Sequence, residues 1–444
     1  MKKITHLWLI ALTLNMILCS NNLIAQETQT AVQQPTITLS DQVTMKIGGF
    51  LRADVFTDTH KNAEILDGLL DLYPLNKSLD ANTGKDINSL NLFRMSAASS
   101  RLNAKFTGPD VFNAKSTSLI EFDFTGVNGY GLRLRHAWIK LNWQNSEFLF
   151  GRYWHPMFIT DAFPTVLGLN TGAPFIVFNR CEQMRYTYNI GSISIMAAAS
   201  IQMDYGLSSE FNKDNGVTTL LHNQIMPDLT LNTQFKNDMF LLGISGNYKV
   251  DQPRISTTGK ASKSYQTSEK INSFSAQIYG QIKAGNFKIK GGALYGQNMI
   301  ELLMLGGFAV SEKDTALTNH EKYTTVNNLN YWGNILYGDK LQVGLFVGYI
   351  QNLGTTSKNV FEFTSTSARG YDAKGTGIDH LIRIAPSVSY KTGRLQFYLE
   401  LEQSIVAYGS YKDPITKAIY EHALVKNTTN VMNTRANFAT IFYF

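Results

Sequence analysis

The residues of this 444-residue chain best suited to chemistry are arginines interleaved with carboxylates. Arg52 and Asp54 are two apart, as are Glu121 and Asp123, and Glu400 and Glu402. Arg94, Arg185 and Arg383 fall in similar alternating stretches, joined by Lys283, Lys288 and Lys290. Arg152 and Arg180 bracket an apolar segment that starts at Tyr153 and holds one formal charge, Asp161. A guanidinium presents a fork of donors that matches a carboxylate or a phosphate. Such a set has two uses: it can raise the local anion concentration in a water-filled passage, or it can pair internally and stiffen a wall. Arg383 would lie nearly opposite Glu402 across a turn at Thr392-Gly393, and Arg52 shares a face with Asp54. Both uses stay open for Arg383, whereas Arg152 and Arg180 favour the first because they flank the apolar segment.

Motifs for catalysis are not found. There is no GxxxxGK[ST], HExxH or CxxC, and no GxSxG in a strand-turn-helix setting. His136 and His155 are isolated, and Cys181 has no partner beyond the N-terminal region. We therefore expect no catalytic residues, no metal site and no cofactor. A net charge of +6 over the whole length is no basic stripe, which argues against nucleic-acid binding.

The elements that position the charges repeat along the chain. Segments of period 2 recur, with apolar residues on one side and polar or small ones on the other. In 340–351, Leu341, Val343, Leu345, Val347 and Tyr349 oppose Gln342, Gly344 and Gly348. From Arg394, Leu395, Phe397, Leu399 and Leu401 oppose Gln396, Glu400, Glu402 and Ser404. Tight turns fall at 108–110, 144–146, 189–191, 236–238, 284–286, 338–339 and 392–393, all rich in residues that accept positive φ or a sharp bend. Alternating short turns and long connections give sixteen antiparallel strands over 44–444. Most hold ten or more residues, the length a tilted strand needs to cross a bilayer and long for a soluble sandwich.

Composition agrees. Charged residues make up 17% of the chain, well below the ~25% of ordinary globular domains, and 12% are aromatic. Mean hydropathy is −0.13, and no apolar run is long enough for a transmembrane helix. An all-β, sixteen-stranded transmembrane β-barrel explains the deficit, because half of each strand faces lipid.

Residues 1–25 read as a secretory signal: Met1-Lys2-Lys3, an apolar stretch from Leu7 to Leu18, and cleavage after Ala25. Leu18 sits where a lipoprotein signal before Cys19 would want a small residue. Residues 26–43 read as a flexible periplasmic leader and 44–444 as the barrel.

The 27 residues from Tyr153 to Asn179 carry six aromatics beside their single charge. A loop standing in water is rarely so apolar. It is expected to fold inward as a constriction loop, with burial at a subunit contact as the alternative. Short helices are expected at 62–73 and 299–308. Arg133 and Arg135 share parity with Ile139 and Leu141, which aims them at lipid unless a bulge shifts the register or they sit above the membrane. The small residues 97–100 and 197–200 suit a close contact, with a neighbouring subunit or with the inward loop.

The last strand places Phe438, Phe442 and the terminal Phe444 on one face. A terminal Phe on an amphipathic strand resembles the signal read by the barrel-assembly machinery. The runs Gly48-Gly49-Phe50-Leu51-Arg52-Ala53-Asp54, Ser100-Arg101-Leu102, Ile120-Glu121-Phe122-Asp123-Phe124 and Leu134-Arg135-His136-Ala137-Trp138 resemble Gram-negative outer-membrane porins of the DcaP-like and phosphate-selective (OprP-like) group. The resemblance implies a trimeric diffusion channel for small anions, carboxylates or phosphate, with both termini periplasmic. The pore-lining set expected on this reading is Arg52, Asp54, Arg94, Glu121, Asp123, Arg152, Tyr153, Asp161, Arg180, Arg185, Arg383 and Glu402. The alternatives are a barrel serving as adhesin or structural anchor, and a barrel lipase, for which no Ser-His pair is found.

Overall fold

The computed structural model describes residues 36–126, 130–202, 223–363 and 377–444. The expected signal at 1–25 and the centre of the loop following residue 363 lie outside them. Strands form where the period-2 pattern predicts. They are β1 (Val43–Asp58), β2 in two pieces (Leu92–Ser96 and Arg101–Val111), β3 (Ala114–Gly126), β4 (Gly131–Asn142), β5 (Ser146–Trp154), β6 (Arg180–Ile190), β7 (Ile193–Ile201) and β8 (Asp228–Lys236). The chain continues through β9 (Phe240–Asp251), β10 (Ile271–Ala284), β11 (Phe287–Gln297), β12 (Glu321–Gly338), β13 (Leu341–Thr355), β14 (Ile378–Thr392), β15 (Leu395–Ser410) and β16 (Lys426–Tyr443). Each pairs antiparallel with the next, and β1 closes on β16 from Phe50↔Tyr443 to Asp58↔Arg435, giving a sixteen-stranded barrel without free edges.

Alternation sets two faces. On β13, Leu341, Val343, Leu345 and Val347 are exposed, whereas Phe346 and Ile350 are fully buried. On β1, Leu51 is exposed and Arg52, Asp54, Phe56 and Asp58 are buried. The apolar side therefore points outward and the charged side inward, the arrangement a barrel wall in lipid requires.

Several local expectations are corrected. The turn placed at 108–110 lies at Phe112-Asn113, both with positive φ, and the ladder is irregular between Thr107 and Asp110. Two successive left-handed residues make a tight hairpin whose twist matches the strands. Strand β2 is broken at 97–100, where Ser100 Oγ accepts from the Arg52 amide at 2.9 Å and Ser99 Oγ donates to Asp54 at 2.7 Å. These small residues meet the chain's own charged face. The helix expected at 62–73 is a β-hairpin, Asn62–Ile65 with Leu70–Pro74, turning through Leu66, Asp67 and Gly68 at positive φ. Of the helix expected at 299–308, one 3-10 turn forms at Ile300–Leu302. Within the expected leader, Thr36–Ser40 forms a strand paired with β1.

The main apolar cluster lies on the inward side. It joins Leu70, Leu72 and Tyr73 of the hairpin, Met157, Phe158, Phe175 and Phe178 of the segment after β5, and Leu302 to Leu305 after β11 with Phe346, Ile350 and Leu381 of the wall. Gly348 faces this body, and a Cβ there would come within 2.4 Å of the Phe175 ring.

Candidate functional site on the inward charged face

The inward charges form two groups. The first is built around Arg383 and Arg435. Arg435 holds Asp58 in a fork, Nε to Oδ1 and Nη2 to Oδ2 both at 2.9 Å, and its Nη1 donates to Asp71 at 3.0 Å and to the Gly68 carbonyl at 2.8 Å. Arg383 Nε lies 3.1 Å from Glu402 and donates to Ser404 at 3.0 Å. Its Nη1 donates to the Ala173 carbonyl at 2.9 Å, and its Nη2 to the Leu72 carbonyl at 2.7 Å and towards Asp71 at 3.4 Å. Every nitrogen of both guanidiniums thus has an acceptor. Asp71 joins β14, β16 and the hairpin, and Asn170 donates to it at 3.2 Å. Burial opposes its ionisation, but Arg435 and Arg383 outweigh this and hold its carboxyl down at about 2.

The same face fixes the segment after β5. Arg52 forks onto Asp54, with Nη2 to Oδ1 at 2.6 Å, and donates to the Leu167 carbonyl at 2.8 Å. Glu400 accepts from the Leu167 and Gly168 amides at 2.9 and 3.1 Å. Lys290 donates to the Phe163 carbonyl at 2.9 Å, and Asn334 accepts from the Thr165 amide at 2.8 Å. Strands β1, β11, β12, β14 and β15 therefore all bind residues 163–173 through inward side chains.

The second group lies on β2, β3 and β4. Arg135 Nε donates to Glu121 at 2.7 Å and its Nη1 to Asp123 at 2.9 Å, while Arg133 Nη2 donates to Asp123 at 2.7 Å. Lipid exposure, the parity reading for this pair, does not occur. The β3–β4 register shifts between Glu121↔His136 and Phe122↔Leu134, so a bulge at Arg135 turns both arginines inward. Arg101, with its guanidinium 5.1 Å from the Phe50 ring, lies within electrostatic reach of Arg135 and Arg180 and of both carboxylates.

The remaining expected site residues scatter. Arg94 pairs with Glu64 at 2.6 Å. Arg185 donates to Gln183 at 3.0 Å and to the Trp154 carbonyl at 2.9 Å, with its guanidinium 5.2 Å from the Tyr153 ring. Arg180 is buried with its guanidinium 4.0 Å from the Trp154 ring. Arg152 pairs with Glu182 at 2.8 Å, and alternation sets both on the face of the exposed Phe150 and Met184. Asp161 is partly exposed and lies 3.0 Å from Lys236.

Missing from the expected set are Asp58, Asp71 and Arg435, the hub of the first group, with Glu400, and Arg101, Arg133 and Arg135 of the second. Arg435 was visible only as one polar residue on an aromatic strand. Asp71 follows an Asp67-Gly68 turn signal that marks a hairpin.

No family model matches the sequence, and no curated protein matches it. Solved structures do. The outer membrane channel DcaP of Acinetobacter baumannii superposes with a TM-score of 0.62 at 14% identity, covering 92% of this chain and 99% of that one. The barrel fold is shared with that outer-membrane channel. OmpT of Vibrio cholerae matches this chain at a TM-score of 0.53 and 12% identity, with 92% and 100% covered. A trimer form of OmpT, folded in vitro, gives 0.51 at 13%, with 91% and 100% covered.

Proposed function

We propose that this porin-type barrel is a passive, non-enzymatic diffusion channel of the Gram-negative outer membrane for small hydrophilic solutes, preferring anions such as carboxylates or phosphate. The observation that carries the preference is the inward cluster of Arg101, Arg133 and Arg135 against Glu121 and Asp123. Positive charge in excess of its counter-charges raises the local anion concentration within about a Debye length. The hydrogen bonds from five strands to residues 163–173 support a constriction role for the segment after β5, which would press solutes toward β2–β4. A homotrimer with periplasmic termini, export by the N-terminal signal, and insertion through a terminal strand ending in Phe444 belong to the same reading. The phosphate-selective subgroup is one candidate for the solute class, and carboxylates are the other.

Reversal potentials in planar bilayers under a salt gradient test it. Anion preference is expected. Cation preference would overturn the arginine argument, and lack of conductance would overturn the channel. The apolar body of three loop segments on the inward face favours the second reading, a poorly conducting adhesin or anchor.

A further inference from the structure

The arginine cluster on β2–β4 differs from the group around Arg383 and Arg435 in leaving donors unmet. Arg135 Nη2 and Arg101 Nε are buried donors without a hydrogen-bond partner, and the His136 Nδ1 ring nitrogen, a donor in its Nδ1–H tautomer, is likewise unpartnered. The bulge explains how two of them meet. Arg135 and His136 together oppose Glu121, so adjacent side chains that would ordinarily diverge turn the same way. Arg101 stands on the neighbouring strand, opposite Asp123 in register. With the imidazole counted as neutral, Arg101, Arg133 and Arg135 exceed Glu121 and Asp123 by one positive charge, and Arg180 is a further cation within reach.

We propose that Arg101, Arg135 and His136 form a binding site for one small monovalent anion, a halide or the carboxylate group of a solute. Two separate costs point there. Each buried donor without an acceptor is unfavourable, and so is a buried charge without a counter-charge. A water molecule would answer only the first, because it accepts hydrogen bonds but brings no charge. A monovalent anion answers both. The site rests on the anion-channel reading as its point of capture, and exchange of its occupant with the lumen is what would pass solute along.

The test uses the full-length refolded protein in detergent with sodium bromide as probe, and the Arg101→Gln and His136→Gln variants, each first shown to be folded by heat-modifiable gel migration. Crystals grown in bromide are expected to show one anomalous peak between Arg101, Arg135 and His136. The thermal unfolding midpoint is expected to rise by about 2 °C for each tenfold increase in bromide above its Kd, a dependence lost in both variants. Acetate identifies the source: displacement of the bromide peak marks solute carboxylates as occupants, and retention marks a resident halide. A peak-free site together with an unchanged bromide dependence in the variants would overturn the proposal. That failure is distinct from failure of the channel reading, because reversal potentials can show anion preference with this site empty.

Discussion

Two inward charge groups share the barrel, and they differ in how completely they are satisfied. Around Arg383 and Arg435, every guanidinium nitrogen finds an acceptor, and the acceptors come from strands, hairpin and loop alike. Arg52, Arg383 and Arg435 there face five carboxylates: Asp54, Asp58, Asp71, Glu400 and Glu402. On β2–β4 the balance reverses, and donors are left over. A saturated network holds segments in place, whereas an unsaturated one has capacity for something else. The arginines alike in sequence therefore do different work, and what separates them is the supply of acceptors.

The largest test of this contrast removes Arg435. Arg435→Met leaves Asp58 and Asp71 buried without their main counter-charge, which should cost about 3–5 kcal/mol, read as a lowered urea midpoint in lipid vesicles. Arg133→Met should cost clearly less, because Arg135 still pairs with Asp123; equal losses would erase the distinction between the groups.

Phe175→Ala attacks the apolar body that the saturated network clamps. Deleting a fully buried ring that sits 5.9 Å from Phe346 should cost about 3 kcal/mol. The accompanying readout is single-channel current, expected to become larger and noisier as residues 163–173 loosen. Gly348→Val, which drives a side chain into the same ring, should act in the same direction.

Acid should weaken the saturated group next. Asp71 has its folded pKa lowered to about 2 from an ordinary 3.8, so its contribution is complete above about pH 4 and is lost as pH falls from there toward 2. The loss amounts to roughly 2 kcal/mol, seen as an unfolding midpoint that falls over that window in the wild type and is flatter in Asp71→Asn. A flat wild-type profile would show that Asp71 is not held by its two arginines.

The smallest effect is on selectivity. Arg135→Gln removes one charge from the unsaturated group, and ~1 kcal/mol for a screened charge at 4 Å corresponds to about a fivefold fall in anion over cation permeability. Arg383→Gln should leave that ratio nearly unchanged, since its charge is already compensated. A reversal-potential measurement showing the opposite ranking would reverse the assignment of roles.

Much of this was legible beforehand. Period-2 alternation located the sixteen strands to within a few residues, because a wall between lipid and a polar interior imposes it on every strand. The pairings Arg52–Asp54 and Arg383–Glu402 were one of the two uses that parity and turn position left open, and the structure shows both pairs. At Arg135 parity pointed to lipid unless a bulge intervened, and the bulge is what occurs; one inserted residue reverses faces and leaves no mark in composition. Parity also could not link Asp58 and Asp71 to Arg435, which lies more than 360 residues further along the chain. At 62–73 the apolar spacing imitated a helix, and the Asp67-Gly68 turn was the stronger signal.

By itself, then, the sequence determined the barrel: a local repeat of apolar and polar residues carries all the information a strand needs to know which way to face. Which arginines are spent on structure and which keep donors in reserve was decided only by tertiary structure. Satisfaction of a buried charge depends on acceptors brought from other strands and loops, and closure of the barrel alone sets those distances.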